Sequence, residues 1–516
     1  MKRLFACTLM LFAAAPSLAA DANGYTAKYE CRAGAPVCNV DVAQIVQRNC
    51  DQIVAPSTPW SAINWSNNTI CIQNGDHTAK GVLVVSASGS ASSRKVLKYY
   101  GANDSSDDPW SPTHSPAKLS GIQINGADYW IIHRLTVDGN WSSSNPGINF
   151  VNSSDADYNI INRVLVQNFD ETLVLIGYGG NDDNTIQNSV LRNTKPNITH
   201  ENQCIALRGG SINKRVVNNE IYNCNKATFA EEGYSPHGGL VLENNDVYLT
   251  SDRYTDCNGN YTPNGPCSDT EGVAFDSKGG ATSGNIGRII NNRAWGMRPG
   301  DKNLSQSGGG WAVSLSNVTD TYPGDGTDYF LIQNNIFGDM DLAIWNYYNG
   351  PDHNSIVGNL IYDVYDHGGQ VQYSTDQGGI SFKWLANSEI YLNTFVNARP
   401  IIHSWGSGTN NDIRCNVFVG GGAKTGSFAD GTQVDGNAFY GVTSTTTGTS
   451  TSNITYSNAA DAKMESYCFY RKNRTGAERI CVPNARPTAT SPHLKACGSG
   501  IGTRPDVGIN NTYPLL

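Results

Sequence analysis

The sequence predicts an all-β chain, a right-handed parallel β-helix: a solenoid of stacked coils with a capping segment at each end. Three observations carry that expectation. The chain has 516 residues, more than one hydrophobic core usually serves, which calls for a repeat array or several domains. Only 16% of residues are charged, and the polar bulk comes from Asn, Ser, Thr and 54 glycines, the composition of a turn-rich β protein. A short motif also recurs, in which an apolar residue is followed by Asn and then by another apolar residue.

The N-terminus reads as a secretory signal over residues 1–20. Lys2 and Arg3 precede an apolar run from Leu4 to Ala15 that is too short to span a bilayer, and small residues follow it. Losing Lys2 and Arg3 with no acid takes the net charge from -9 to -11. Such a field repels polyanions, so an acidic substrate needs local basic groups or a bound cation. The mean hydropathy of -0.38 excludes an integral membrane protein. Of the 13 cysteines, Cys7 lies in the signal. The even remainder predicts disulfides, with Cys204–Cys224 and Cys257–Cys267 as local pairs, and no CxxC pair supports zinc. The expected location is secreted or periplasmic.

Residues 21–80 lack the repeat rhythm and are expected to cap the first coil. The coils are expected over 81–456. Copies of the motif centre on Asn162, Asn188, Asn219, Asn245, Asn292, Asn335, Asn359, Asn393, Asn416 and Asn437. Most steps are 21–34 residues, one coil plus loops, and two longer steps of 47 and 43 need an insertion or an extra coil. Asn suits a tight bend because it tolerates left-handed backbone, and stacked Asn amides can bond along the axis. A second column precedes each Asn, as in Val273-Ala274-Phe275-Asp276-Ser277-Lys278, Ala312-Val313-Ser314-Leu315 and Leu342-Ala343-Ile344-Trp345. Each coil therefore has at least two strands, and a third, weaker one is expected. Residues 457–516 are expected to form the C-terminal cap, where Arg504-Pro505-Asp506-Val507-Gly508 resembles an ending common in β-helix proteins.

The second column carries the chemistry-bearing residues. Asp276 and Lys278 are two apart in a strand and project from one face. Arg208 is expected about two coils away, roughly 10 Å. A long open groove of this kind suits a polymer. Uronic-acid polymers are cut by β-elimination: a base removes the C5 proton, and a cation or Arg stabilises the carbanion beside the carboxylate. Lys278 and Arg208 are the expected catalytic pair. Lys383, His403, Arg298 and Trp345 are expected to bind substrate, tryptophan by stacking on sugar rings. Asp276, Glu271, Asp269, Glu232 and Glu231 are expected to hold calcium, which takes several oxygen ligands.

The run Glu271-Gly272-Val273-Ala274-Phe275-Asp276-Ser277-Lys278, followed by Asn291-Asn292-Arg293-Ala294-Trp295-Gly296, resembles a segment of the family 9 pectate lyases. There an Asp-Gly-Phe stretch leads to a catalytic Lys and then to Arg-Ala-Trp-Asn. The resemblance covers about 30 residues, and it implies Lys278 as base with nearby acids as calcium ligands. Glu271 stands where that family has Asp, and the acidic pair expected after Trp295 is reduced to Asp301.

The function expected is therefore a polysaccharide lyase acting on a pectate- or alginate-like polymer, as a monomer. A glycoside hydrolase using two carboxylates, such as Glu232 and Asp276, is the second reading. A non-catalytic carbohydrate-binding surface protein is the third. The acidic balance and the absence of a basic stripe disfavour nucleic acid, and no membrane partner is expected.

Overall fold

The computed structural model describes residues 28–29, 40–100 and 117–487, apart from 143–144, 152–154, 178–179, 197–201, 210–211, 232–237, 280, 282–283, 302–308, 316–328, 347–352, 366–377, 383–384, 400–401, 405–409, 422–432, 443–453, 458–463 and 474–475. Short strands stack coil upon coil into three long parallel sheets of 14, 14 and 11 strands, and the chain visits the sheets in fixed order. This is a parallel β-helix, with the right-handed sense that parallel crossovers adopt. The third strand of each coil, the weakest in sequence, is present.

The stack is held in register by repeated positions. On the first sheet Ile132, Ile161, Ile186, Val216, Leu242 and Ile289 are successive partners. On the third sheet the inward row includes Ile205, Thr228, Phe275, Val313, Ile344 and Ile380. These side chains are buried in one continuous core, Thr228 excepted from its apolar part. β-Branched and aromatic residues fit a pleated strand surface, and inside–outside alternation follows from its period of two.

The bend between the first and second sheets shows why Asn recurs. A residue of left-handed backbone, for example Asn218, Asn244, Asn291 or Asn334, is followed by a fully buried Asn. These buried residues form a ladder through Asn219, Asn245, Asn292, Asn335, Asn359, Asn393, Asn416 and Asn437. Each Nδ2 donates to the next Oδ1 at 2.9–3.1 Å. The next Oδ1 also accepts the backbone N–H, as from Asn292 to Asn335 at 2.8 Å. The amides of this ladder are thereby satisfied along the axis. The two earliest motif copies are out of step with the ladder. Asn188 is itself the left-handed residue, and Ser189 takes the ladder position, donating its N–H to Asn219. Asn162 stands two places before the corresponding Val164, whose N–H reaches Ser189 Oγ.

The ends differ from expectation. Gln52–Val54 already pairs in parallel with Ile70–Ile72 of the next strand, so stacking begins inside the segment expected to be only a cap. The short helix Val42–Val46 packs on the outer face of the first sheet, against Ile131 and Ile160. At the C-terminus, Met464–Asn473 and Gly476–Pro487 form an antiparallel hairpin. Its Tyr467, Phe469, Val482 and Ala485 pack on Leu360, Tyr362, Val396 and Val417. The hairpin thus covers the flank of the second sheet, reaching back to Arg293, which donates to Tyr470 O. Residues 488–516 lie outside the described residues. Disulfides join Cys50–Cys71, Cys204–Cys224, Cys257–Cys267 and Cys468–Cys481, which includes both pairs expected from sequence.

The two long steps are insertions, and no extra coil intervenes. They leave the same corner of neighbouring coils, between the second and third sheets, at 249–272 and 296–310. They are joined to each other: Ser268 N–H donates to Pro299 O at 2.9 Å, and Asp301 accepts from Thr255 Oγ1 at 2.8 Å and Gly259 N–H at 2.6 Å. Gly309 has φ 103°, and a Cβ there would stand 1.8 Å from Glu271 O, so only glycine permits this approach.

At the start of the first sheet a smaller ladder uses carboxylates. Asp128 accepts the Asp157 N–H, Asp157 that of Asp182, and Asp182 that of Ile212, each at 2.8 Å. Burial, with Asp182, Asp128 and Asp155 nearby, pushes the Asp157 carboxyl up to about 6.

Two predictions follow from these ladders. Asn335→Ala leaves Asn292 N–H and one of the two Nδ2 hydrogens without their acceptor, and should lower the unfolding free energy by about 2–4 kcal/mol in a denaturant titration, since each unmet buried group costs roughly 1–3. For Asp157, the raised folded-state pKa means the folded chain holds the proton more tightly, so stability is lost as pH rises between 3.8 and about 6. Asp157→Asn keeps the acceptor oxygen and should unfold at a higher temperature than wild type above pH 6, with the difference vanishing below about pH 4.

Candidate functional site

The outward face of the third sheet is where the unusual residues collect. Its strands Gln203–Arg208, Lys226–Glu231, Val273–Ser277, Trp311–Leu315 and Leu342–Asn346 lie side by side. One outward row runs Ala206, Phe229, Asp276, Ser314, Trp345, Ser381 and His403. Two residues further along each strand is a second row. Arg208 pairs with Glu231, and Lys278 follows the pair Ala230–Ser277, its N–H donating to Ala230 O at 2.7 Å. Arg208 and Lys278 are thus two strand spacings apart, about 10 Å, as the sequence predicts.

Both cations are half-buried. Among the described residues no hydrogen bond or ion pair reaches either cationic head, and the Arg208 Nε is buried without a partner. Lys278 Nζ stands 5.1 Å from the centre of the Phe229 ring, a cation–π contact that holds the chain over the sheet.

Asp276 is on the same face as Lys278 but is buried, 5% exposed. Its Oδ2 meets the Nζ of Lys226 at 2.9 Å, and Lys226 also lies 3.7 Å from Glu271 Oε2. Burial alone would raise the Asp276 carboxyl, but Lys226 and Lys278 outweigh it and hold it below the usual carboxylate range. Lys226 Nζ is 4.8 Å from the Phe229 ring centre, so one phenyl ring supports both lysines. Lys226 went unnoticed in the sequence because its strand, Lys-Ala-Thr-Phe-Ala-Glu, lacks the aliphatic alternation that marks the other copies of the column.

The described acids expected to hold calcium are committed elsewhere. Asp276 and Glu271 converge on the Lys226 ammonium. Asp269 lies within the first insertion, where Arg253 NH1 contacts its Oδ2 at 3.1 Å and Tyr261 OH donates to it at 3.1 Å. Burial leaves the Asp269 carboxyl raised despite that pair. The side chains of Glu231 and Glu232 lie outside the described residues. Among the described residues no group of three His, Cys, Asp or Glu side chains could hold a metal ion, so the described members of the set do not fit calcium.

Of the expected substrate-binding residues, Arg298 is not in the trough. It is buried, donates to Asp339 O and Oδ1 at 2.7 Å each, and lies 5.0 Å over the Tyr254 ring. It clasps the second insertion to the second sheet. Trp345 is in the outward row but stacks on Trp311 at 4.1 Å, within a cluster with Val273 and Leu342. Only 6% of it is exposed, so it forms the trough floor together with Trp311. The backbone of His403 continues the row, its side chain lying outside the described residues, as does Lys383.

No protein-family model matches the sequence, and no curated protein matches it. Solved structures of similar shape include a mannuronic acid specific polysaccharide family 6 lyase from human gut microbiota, at 12% identity over 80% of this chain and 92% of that one, with a TM-score of 0.48. DFA-IIIase from Arthrobacter chlorophenolicus A6 in complex with GF2 is similar at 13% identity over 71% and 94%, with a TM-score of 0.43. Pectate lyase Pel9A is similar at 15% identity over 72% and 80%, with a TM-score of 0.37.

Replacing Lys226 tests this arrangement. Lys226→Met strands two buried carboxylates and should cost about 3–5 kcal/mol at pH 7 by denaturant unfolding. In wild type the depressed Asp276 pKa contributes stability that is present above 3.8 and lost as pH falls through the folded value below it. In the variant the orphaned carboxyl titrates higher, so the deficit against wild type should shrink on acidification.

Proposed function

We propose that this chain is a polysaccharide lyase that cleaves a uronic-acid-containing polysaccharide by β-elimination, with Lys278 as general base and Arg208 binding the substrate carboxylate. One observation carries the reading. In a chain of net charge -9, Arg208 and Lys278 stand in one outward row, half-buried, with no acid partner among the described residues. Cations at that spacing match a carboxylated polymer lying across the coils. Arg208 neutralises the carboxylate and so acidifies the C5 proton, which Lys278 takes when deprotonated; the C5 electron pair then forms the C4–C5 double bond as the C4–O bond breaks, and the departing oxygen takes a proton from the Lys278 ammonium or from water. Calcium has no step in this scheme. The aromatic floor of Trp311 and Trp345, one and two strands beyond the Arg208–Lys278 span, offers apolar surface to further sugars.

The hydrolase reading needs a carboxylic acid with a raised pKa to protonate the leaving oxygen. Asp276 is instead held low by Lys226 and Lys278, so the geometry favours elimination. Export to a secreted or periplasmic location accords with the four disulfides between described residues, and among the described residues no helix is long and apolar enough to cross a membrane.

The test is a screen of pectate, alginate and other uronans for the near-ultraviolet absorbance of an unsaturated product. Lys278→Ala should lower kcat at least about 100-fold, and Arg208→Ala should raise KM and lower kcat together. Reducing ends without absorbance, or full activity in Lys278→Ala, would overturn the assignment.

A further inference from the structure

The pairing of Lys226 with two acids goes beyond its role in holding the strand. Lys226, Asp276 and Glu271 are all buried, at 4%, 5% and 7% exposure. Two carboxylates brought together in a protein interior require positive charge between them. A divalent metal supplies that in many sites, with oxygen ligands from acids and water. Here the charge arrives on the chain. The Lys226 ammonium sits 2.9 Å from Asp276 Oδ2 and 3.7 Å from Glu271 Oε2, and Lys278 acts on Asp276 from the next position outward. Among the described residues Lys226 alone is within ion-pair distance of both acids, and it shares the Phe229 ring with Lys278. The other Asp276 oxygen, Oδ1, is buried and is not used by the lysine; the Ser314 hydroxyl on the next strand also favours the ionised carboxyl.

We propose that Lys226 is a tethered cation that takes the place of a divalent metal between Asp276 and Glu271, so that the trough assembles without metal. The proposal shares its location with the lyase reading, but its test reads binding and unfolding, so a chain inactive on every uronan leaves it standing or falling separately. A metal would have to displace an ammonium fixed by its own strand, whereas removing the lysine leaves two acids facing a space of about one side chain.

Calcium is titrated into chelator-treated wild-type protein and into Lys226→Ala, by calorimetry and by thermal unfolding. Wild type should show no calcium binding that Asp276→Asn or Glu271→Gln abolishes; binding that survives both changes lies elsewhere and agrees with the proposal. Lys226→Ala should unfold at a lower temperature than wild type, and saturating calcium should raise it by about 2 °C or more. The double variant Lys226→Ala/Asp276→Asn should lose that response, which a merely structural lysine would not predict. Calcium binding to wild type that disappears in Asp276→Asn or Glu271→Gln overturns the proposal, as does a folded Lys226→Ala that ignores calcium. If Lys226→Ala folds only in calcium, that supports the proposal; if it folds in neither condition, the wild-type isotherm decides.

Discussion

Register between coils is the constraint on which the rest depends. Each strand finds its partner one coil away, so every side chain meets the same row position in its neighbours. A slip of one residue would turn a whole inward row outward. The asparagine ladder from Asn219 to Asn437 prevents this at the bend, since each amide donates to the next turn only when the coils align. Apolar rows supply the drive to stack, and the ladder specifies where stacking stops being correct.

That register also determines how charge is handled on the third sheet. Because positions are inherited coil by coil, Lys226, Asp276 and Lys278 are brought together from strands that lie about 50 residues apart in sequence. Acids in and beside the trough meet internal cations: Asp276 and Glu271 meet Lys226, and Asp269 meets Arg253. Among the described residues, Arg208 and Lys278 make no ion pair. A net-negative chain thus presents positive charge on one restricted face, where desolvation strengthens its hold on an anion.

Much of this was legible in the sequence. Asn spacing gave the coil length, alternation gave the inward and outward rows, and the two-residue offset of Asp276 and Lys278 gave their common face. Local cysteine spacing gave two disulfides. What escaped depends on long-range pairing. Lys226 lies 50 residues from Asp276, and nothing in its own strand marks it as a partner. Asn162 and Asn188 carry the motif but sit off the ladder: Asn188 takes the left-handed position, which also favours Asn, and Asn162 ends the strand before it. Arg298 and Asp269 look like site residues by composition, yet each is consumed by a partner in or beside an insertion. The C-terminal hairpin was expected over the end of the stack, and only the apolar outer face of the second sheet, from Leu360 to Val417, explains its course along the flank.

The two joined insertions occupy a different corner of the coil from the asparagine ladder. Residues there can be added or removed without breaking a rung, since the strands before and after keep their partners. Lengthening 249–272 or 296–310 would change the height of one bank of the trough while the column beneath kept its pitch. The architecture therefore separates what must repeat from what can vary, and assigns them to different edges of a triangular cross-section.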